Sequence, residues 1–225
     1  MGTRSHEQAA LLTDYDASSA YSEAFHTLFA NIRFNWDSEK NRQLTLLITA
    51  PTSSSGQATI AANVAIASAQ SGTPTILVDA DLRNSSLEQR FGTGQQRGLS
   101  DLLVEEQITE HDIASCLQPT FIPGLRLLGA GSATGAASLF HLTKVEEVIC
   151  CLRSQLATEA TAPGIVIFHS PAVQAGADAS VIGALVDQTL LIIAKNRTTR
   201  TQAKEAQEQL ERVHANLVGL IMLDF

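Results

Sequence analysis

The stretch Leu47-Ile48-Thr49-Ala50-Pro51-Thr52-Ser53-Ser54-Ser55-Gly56-Gln57-Ala58-Thr59 decides the fold, and the run Ile60-Ala61-Ala62-Asn63-Val64-Ala65 follows it at once. An apolar strand, a loop of small residues and an Ala-rich helix make the frame of a phosphate-binding loop. In such a frame a lysine at position 57 would meet the β/γ-phosphates, and Ser or Thr at 58 would hold Mg²⁺. Gln57 and Ala58 stand there instead. What remains is a vestigial cradle of Ser54, Ser55, Gly56, Gln57, Ala58 and Thr59. Its backbone N–H groups and helix N-terminus still favour an anion. The scaffold of a nucleotide site is present without its main charge.

Working outward, apolar runs and helical patterns alternate. Strands are expected at Leu44–Ile48, Thr75–Asp79, Leu125–Leu128, Ile165–Phe168, Thr189–Ile193 and Leu217–Met222. None shows the polar alternation of a half-exposed strand, so each should be buried on both faces of a parallel sheet between helix layers. Helices are expected where Tyr21, Phe25, Leu28, Phe29 and Ile32 recur, over 57–70, and where Ala203, Ala206, Leu210 and Val213 form a stripe. Ser18 or Ser19 is the expected cap of the first helix. Thr143-Lys144-Val145-Glu146 reads as a capping box opening a helix with Val145, Val148, Ile149, Leu152 and Leu156 on one face. The expected fold is α/β, a doubly wound, mostly parallel sheet of the P-loop NTPase type in a single domain over 18–225. Residues 1–17 are polar and expected to be a flexible N-terminal segment.

Composition bounds the rest. The chain has 225 residues, 44% hydrophobic and 17% charged, and a net charge of −8. That acidity argues against nucleic acid as a partner, because phosphate backbones select basic faces. Cys116, Cys150 and Cys151 lack metal-ligand spacing and read as buried thiols in a reducing compartment. No apolar run approaches the ~20 residues that cross a bilayer.

The second strand ends in Val78-Asp79-Ala80-Asp81-Leu82-Arg83. Ligands of open α/β sheets sit at that C-terminal edge, so two carboxylates and an arginine there, downstream of the loop, favour a site over a solvated turn. Three stretches together resemble the cytoplasmic domain of bacterial tyrosine kinases and their polysaccharide co-polymerase relatives, within the deviant-Walker ATPases. They are Tyr21–Leu28 with Asn31–Phe34; Ala50–Asn63 with Val78–Arg83 and Gly98-Leu99-Ser100-Asp101-Leu102-Leu103; and Ile165–Pro171 with Asp178 and Val186-Asp187. The resemblance implies a role in bacterial exopolysaccharide or capsule assembly and export. It places the domain in the cytoplasm at the inner face of the membrane, with or as part of a co-polymerase that determines chain length, and is compatible with a homo-oligomer.

Departures from that family pattern are concentrated at the chemistry. The family's loop lysine falls on Gln57, its Mg²⁺-binding hydroxyl on Ala58, a loop glycine on Ser54 and its Walker B aspartate on His169. Asp79 and Asp81 remain as a vestigial catalytic and metal set with His169. The family's Glu-x-x-Arg-x-x-Arg helix reads Glu23, His26 and Phe29, and the only tyrosines are Tyr15 and Tyr21. Each lost charge-assisted hydrogen bond removes about 1.5–3 kcal/mol. Losing the lysine and the metal grip therefore weakens nucleotide binding by roughly two to four powers of ten. The expectation is a catalytically degenerate kinase-like domain with no cofactor, and at most weak capture of ATP, ADP or Mg²⁺. His169 is expected within reach of Asp79 or Asp81, where a protonated imidazole would supply the missing positive charge. The alternative is an active tyrosine kinase or ATPase whose cation comes from Lys144, Lys195 or a neighbouring subunit.

Overall fold

The structure, a computed structural model, describes residues 11–39, 41–53, 56–132, 139–159 and 162–224. Fifteen elements follow in chain order. They are α1 (Ala20–Phe34), β1 (Gln43–Thr49), α2 (Gln57–Gln70), β2 (Thr75–Asp79), α3 (Leu87–Phe91), α4 (Leu99–Leu103), α5 (Glu110–Cys116) and β3 (Leu117–Pro119). Then come β4 (Leu125–Leu128), α6 (Leu142–Glu159), β5 (Gly164–His169), α7 (Asp178–Gly183), β6 (Gln188–Ala194), α8 (Arg200–Arg212) and β7 (Leu217–Leu223). The strands form one sheet in the order β3-β4-β2-β5-β1-β6-β7. Only the β3–β4 pair is antiparallel; the other pairs are parallel.

The six expected strands are all present; five are buried between the helix layers, but β7, the edge strand, is not, with Leu220 63% and Met222 74% exposed. Helix α2 explains its own composition. Every residue from Gln57 to Ala69 is buried, so alanine and serine are needed to let α1 and the sheet close on it from two sides. On that face Phe25, Phe29 and Ile32 of α1 join Ile60, Val64 and Leu46 in one apolar cluster. On the other face α6 packs Val148 and Leu152 over Val166 and Phe168. Ser19 caps α1 by accepting the Ser22 N–H at 3.1 Å.

Three further expectations are corrected, and four short elements are new. Residues 11–17 do not stand loose: Leu11 and Leu12 are buried in the α1/α2 cluster, and the Leu12 N–H donates to Asn63 Oδ1 at 2.8 Å. Residues 1–10 lie outside the described residues. The Thr143 box does not open α6, whose first residue is Leu142 and whose first turn closes from the Val145 N–H to the His141 carbonyl at 3.0 Å. Cys116 is buried, but Cys150 is exposed, because it falls on the outer side of α6. The edge strand β3 has no counterpart in the sequence reading, and neither do the short helices α3, α4 and α5. Phe29 is a core residue, 2% exposed, as its place in the apolar stripe of α1 requires.

The Gly98–Leu103 hexad is a docking device for α4. Gly98 lies where backbones nearly touch: a Cβ there would come within 2.3 Å of the Gly129 carbonyl oxygen and 2.5 Å of the Gly131 nitrogen. That approach lets the Leu99 and Ser100 N–H groups donate to the carbonyls of Gly129 and Ala130, both at 2.8 Å. Asp101 then accepts the N–H groups of Gly98 at 2.9 Å and Ser132 at 3.0 Å. Gly98→Ala must push two backbones apart. We expect it to destabilise the fold by about 2–3 kcal/mol, read as a lower urea midpoint at unchanged slope. An unchanged midpoint would mean that the 129–131 turn gives way freely.

Candidate functional site at the sheet edge

Strands β2, β5 and β1 are neighbours, and their C-terminal ends carry the site. Asp79 is the last residue of β2 and is opposite His169, the last residue of β5. His169 is also in register with Ile48 of β1, just before the loop. The apolar strands thus bring the expected acidic edge and the former Walker B position together.

Asp79 is fully buried, so its carboxylate must replace water with fixed donors. Its Oδ1 accepts the Asp81 N–H at 3.2 Å and lies 3.1 Å from His169 Nδ1. Its Oδ2 accepts the N–H groups of Ser86 and Leu87, both at 3.1 Å. Those two amides are the N-cap residue and the first residue of α3, so Asp79 works as a helix cap reached from a strand end. His169 is itself 3% exposed, and its carbonyl accepts the Ala80 N–H at 2.7 Å. The expected contact between His169 and the acidic pair is present, and it is to Asp79.

Asp81 has a different task. It is half-exposed, and its Oδ1 accepts the N–H groups of Arg83 at 3.3 Å and Asn84 at 3.0 Å, closing its own turn. Arg83 reaches across to the buried Asp178 at 2.5 Å, clamping the β2 edge to the start of α7. Asp187, which belongs to the same family pattern, lies at the opposite edge of the sheet. There it accepts the Thr45 N–H at 2.7 Å and pairs with Arg153 at 2.8 Å, so it pins the N-terminal end of β1.

Gln57 answers for the missing lysine. Its side chain is buried, and Nε2 donates to the Ser170 carbonyl at 2.6 Å. The amide is therefore turned to the chain after β5 and away from any phosphate in the loop. Further bonds tie the loop to the same segment: Val173 N–H to the Ala50 carbonyl at 2.8 Å, and Thr49 Oγ1 to the Pro171 carbonyl at 3.0 Å. Ala58 offers no hydroxyl. Thr59 Oγ1 is buried without a hydrogen-bond partner. Ser54 and Ser55 lie outside the described residues. A Mg²⁺-nucleotide needs a cation at 57, a hydroxyl at 58 and carboxylate lone pairs facing the metal. The residues present do not fit that group: Gln57 is committed to a carbonyl, and both Asp79 oxygens already accept.

The candidate substitute cations are also committed. Lys144 donates to the Glu106 carbonyl at 2.7 Å and pairs with Glu147 at 2.9 Å. Lys195 pairs with Asp224 at 2.6 Å, and Arg197 and Arg200 are exposed beyond β6. Tyr21 accepts a bond from Asn63 Nδ2 at 2.8 Å and stacks on Tyr15 with ring centroids 4.2 Å apart.

Two charged residues of α3, Glu88 and Arg90, complete the electrostatics, and the sequence reading missed both. Burial pushes the Glu88 carboxyl above its ordinary range, the Asp79 charge adds to this, and the Ala130 and Gly131 amides offset part of it. Burial pulls the Arg90 guanidinium down, while the charges of Asp79 and Tyr21 oppose that pull. The only sequence signal was that two charges fell within a short Leu-x-x-x-Phe pattern, which any surface turn shares.

A sheet of this order, with a phosphate-loop frame after β1 and an acidic edge after β2, defines a P-loop ATPase-type domain. The chain belongs to the bacterial tyrosine-protein kinase family. It is 30% identical over 224 residues to tyrosine-protein kinase YwqD of Bacillus subtilis (strain 168), covering 98% of this chain and 87% of that relative. It is 26% identical to tyrosine-protein kinase wzc of Salmonella typhi, matching 96% of this chain but spanning only 28% of that protein's length. Among solved structures, the chimerical protein CapA2B2 superposes with a TM-score of 0.78 at 25% identity, over 95% of this chain and 88% of that one. The septum site-determining protein MinD of Pyrococcus horikoshii OT3, complexed with Mg-ADP, has the same fold, with a TM-score of 0.62 at 18% identity over 80% of this chain and 70% of that one. No family model matches the sequence.

The Glu88 shift has a checkable sign. With its folded pKa raised above the unfolded one, the native state holds the proton more tightly, so stability is greatest at low pH and falls as pH rises through the folded pKa. Glu88→Gln should therefore raise the melting temperature at pH 7 relative to the parent. The gain should vanish in acid, where Glu88 is protonated in both states. A gain that persists unchanged in acid would overturn this reading.

Proposed function

We propose that this domain has given up phosphoryl transfer and serves bacterial exopolysaccharide or capsule assembly and export through protein contacts. It would do so with, or as part of, a membrane polysaccharide co-polymerase at the cytoplasmic face of the membrane. The observation that carries the degenerate reading is the Gln57 bond to the Ser170 carbonyl. A lysine at that position supplies charge to the β/γ-phosphates, whereas a glutamine amide held by a buried carbonyl closes the loop onto β5. The His169–Asp79 contact completes the exchange, because protein donors occupy the carboxylate that would face Mg²⁺. Catalysis suffers more than binding, since lysine and metal also stabilise the transition state. The export role rests on the family. Longer relatives such as wzc carry this domain in about a quarter of their length, which is consistent with one module of a larger assembly. Among the described residues, no helix is long and apolar enough to cross a membrane.

Calorimetric titration with ATP·Mg²⁺ and with ADP·Mg²⁺ should give no binding in the micromolar range. Intact-mass measurement after incubation with ATP should show no added phosphate on Tyr15 or Tyr21. Micromolar affinity or a phosphorylated tyrosine would favour an active kinase with an unconventional site. Gln57→Lys alone should leave hydrolysis absent, because the hydroxyl at 58 and the carboxylate at 169 are still missing. The triple change Gln57→Lys, Ala58→Ser, His169→Asp should recover nucleotide binding. A folded triple variant that still fails to bind would mean that the loop itself has lost the phosphate-cradling shape.

A further inference from the structure

The two edges of the sheet are built differently. β3, at one edge, has three residues and contains Pro119, a length and a residue that keep further strands from adding there. β7, at the other edge, runs seven residues with no charge and no proline among them. Among the described residues β6 is its only strand neighbour, so no strand pairs with its outer row of N–H and C=O groups. Its one irregularity, a register shift against β6 between Thr189 and Leu190, falls at the start and leaves Gly219–Leu223 in regular pairing. Side chains alternate along that stretch. Ile221 is buried in the α1/α2 cluster with Leu223 packed beside it, whereas Leu220 and Met222 stand exposed on the other face. A groove of about 720 Å³ follows the edge, between residues 220–224 and Ala24, Thr27, Leu28 and Asn31 of α1. It leaves room for the side chains of an added strand. An unguarded strand edge is a template for pairing with another chain.

Charge and symmetry select the occupant. The chain carries a net charge of −8, so two copies repel each other except through an uncharged surface, and β7 is one. A two-fold axis perpendicular to the sheet sets β7 antiparallel to its own copy and keeps each face of the sheet on its own side. Pairing over the regular stretch 219–223 centres on Ile221. Leu220 of each copy then stands opposite Met222 of the other, so the two exposed apolar side chains cover each other, and symmetry makes the contact twice. The strand ends agree with this direction. Asp224 of each copy comes toward the end of the other copy where α8 finishes at Arg212, whereas a parallel pair would set Asp224 beside Asp224. No charged side chain in β7 calls for a foreign partner.

We propose that β7 pairs antiparallel with β7 of a second copy of this chain, joining two sheets into one across a two-fold axis. The test is sedimentation velocity of the full chain from micromolar to submillimolar concentration. A reversible conversion of monomer to dimer is expected, with slower hydrogen exchange of the backbone amides of residues 219–223 in the dimer. Leu220→Lys and Met222→Glu, both at exposed positions, should fold normally. Symmetry makes each substitution count twice, so each alone should weaken association by about tenfold or more. Mixed in equal amounts, the two variants set opposite charges face to face and should dimerise within a few-fold of the parent. Phe34→Ser, which removes a 91% exposed ring at the end of α1, should change nothing. Either β7 variant decides the matter if the other misfolds. The proposal is overturned by a monomer at every concentration, which would leave the edge to a strand from another protein. It is equally overturned by a dimer that both β7 substitutions leave intact, by a mixture of folded variants that fails to recover, or by an equal loss on Phe34→Ser, the mark of general apolar association.

Discussion

A buried carboxylate at the end of a central strand must be neutralised, and the way Asp79 meets that demand shapes everything around it. Four contacts hold it: the N–H groups of Asp81, Ser86 and Leu87, and the His169 ring. The two α3 amides make a five-residue helix possible, although one so short would not persist alone in water. The His169 contact joins β2 to β5 beyond their backbone ladder. These donors satisfy the carboxylate from inside the protein, so the geometry of the edge is set by the same side chain.

Gln57 extends that logic to the loop. Its amide and the Val173 and Gln174 amides hold Gln57, Ala50 and Pro51 against the segment after β5. Arg83 and Asp178 fasten the next turn along the edge. Phosphate loops generally keep their donors free for the ligand; in this loop one side-chain donor is already spent on the scaffold. Glu88 sits in the same neighbourhood as a burdened carboxyl. Its Oε1 lies so close to Gly129 that a Cβ there would fall within 2.3 Å of it. The site edge and the Gly98–Gly131 crossing are thus one packed unit.

Much of the fold was legible because its signal is long and periodic. Six strands are predominantly apolar runs, α1, α6 and α8 carry helical stripes, and α2 is an Ala-rich run. The elements that escaped are short. β3 has three residues and contains a proline, and α3, α4 and α5 run five to seven residues, too few for a period to emerge. Leu11 and Leu12 sit in a polar stretch, and their burial depends on Asn63, fifty-one residues away, which no local pattern reveals. At the site, the meeting of His169 with Asp79 was legible because both end parallel strands that should converge. The partner of Gln57 was not, because it is a backbone carbonyl, and every residue has one. Asp187 shows the converse: a recognisable motif residue can serve the opposite end of the sheet.

The His169–Asp79 contact also constrains how this sequence can change. Replacing His169 with Asp alone would set two buried carboxylates side by side, and like charges there raise the free energy of the fold. Replacing Asp79 alone would strand the imidazole and free two amides of α3. Each member is tolerable only while the other stays, so the intermediates between this arrangement and a metal-binding one are less stable than either end. The pair acts as a ratchet: with both residues in place, any route to a two-carboxylate edge passes through a valley of stability that single substitutions cannot cross cheaply.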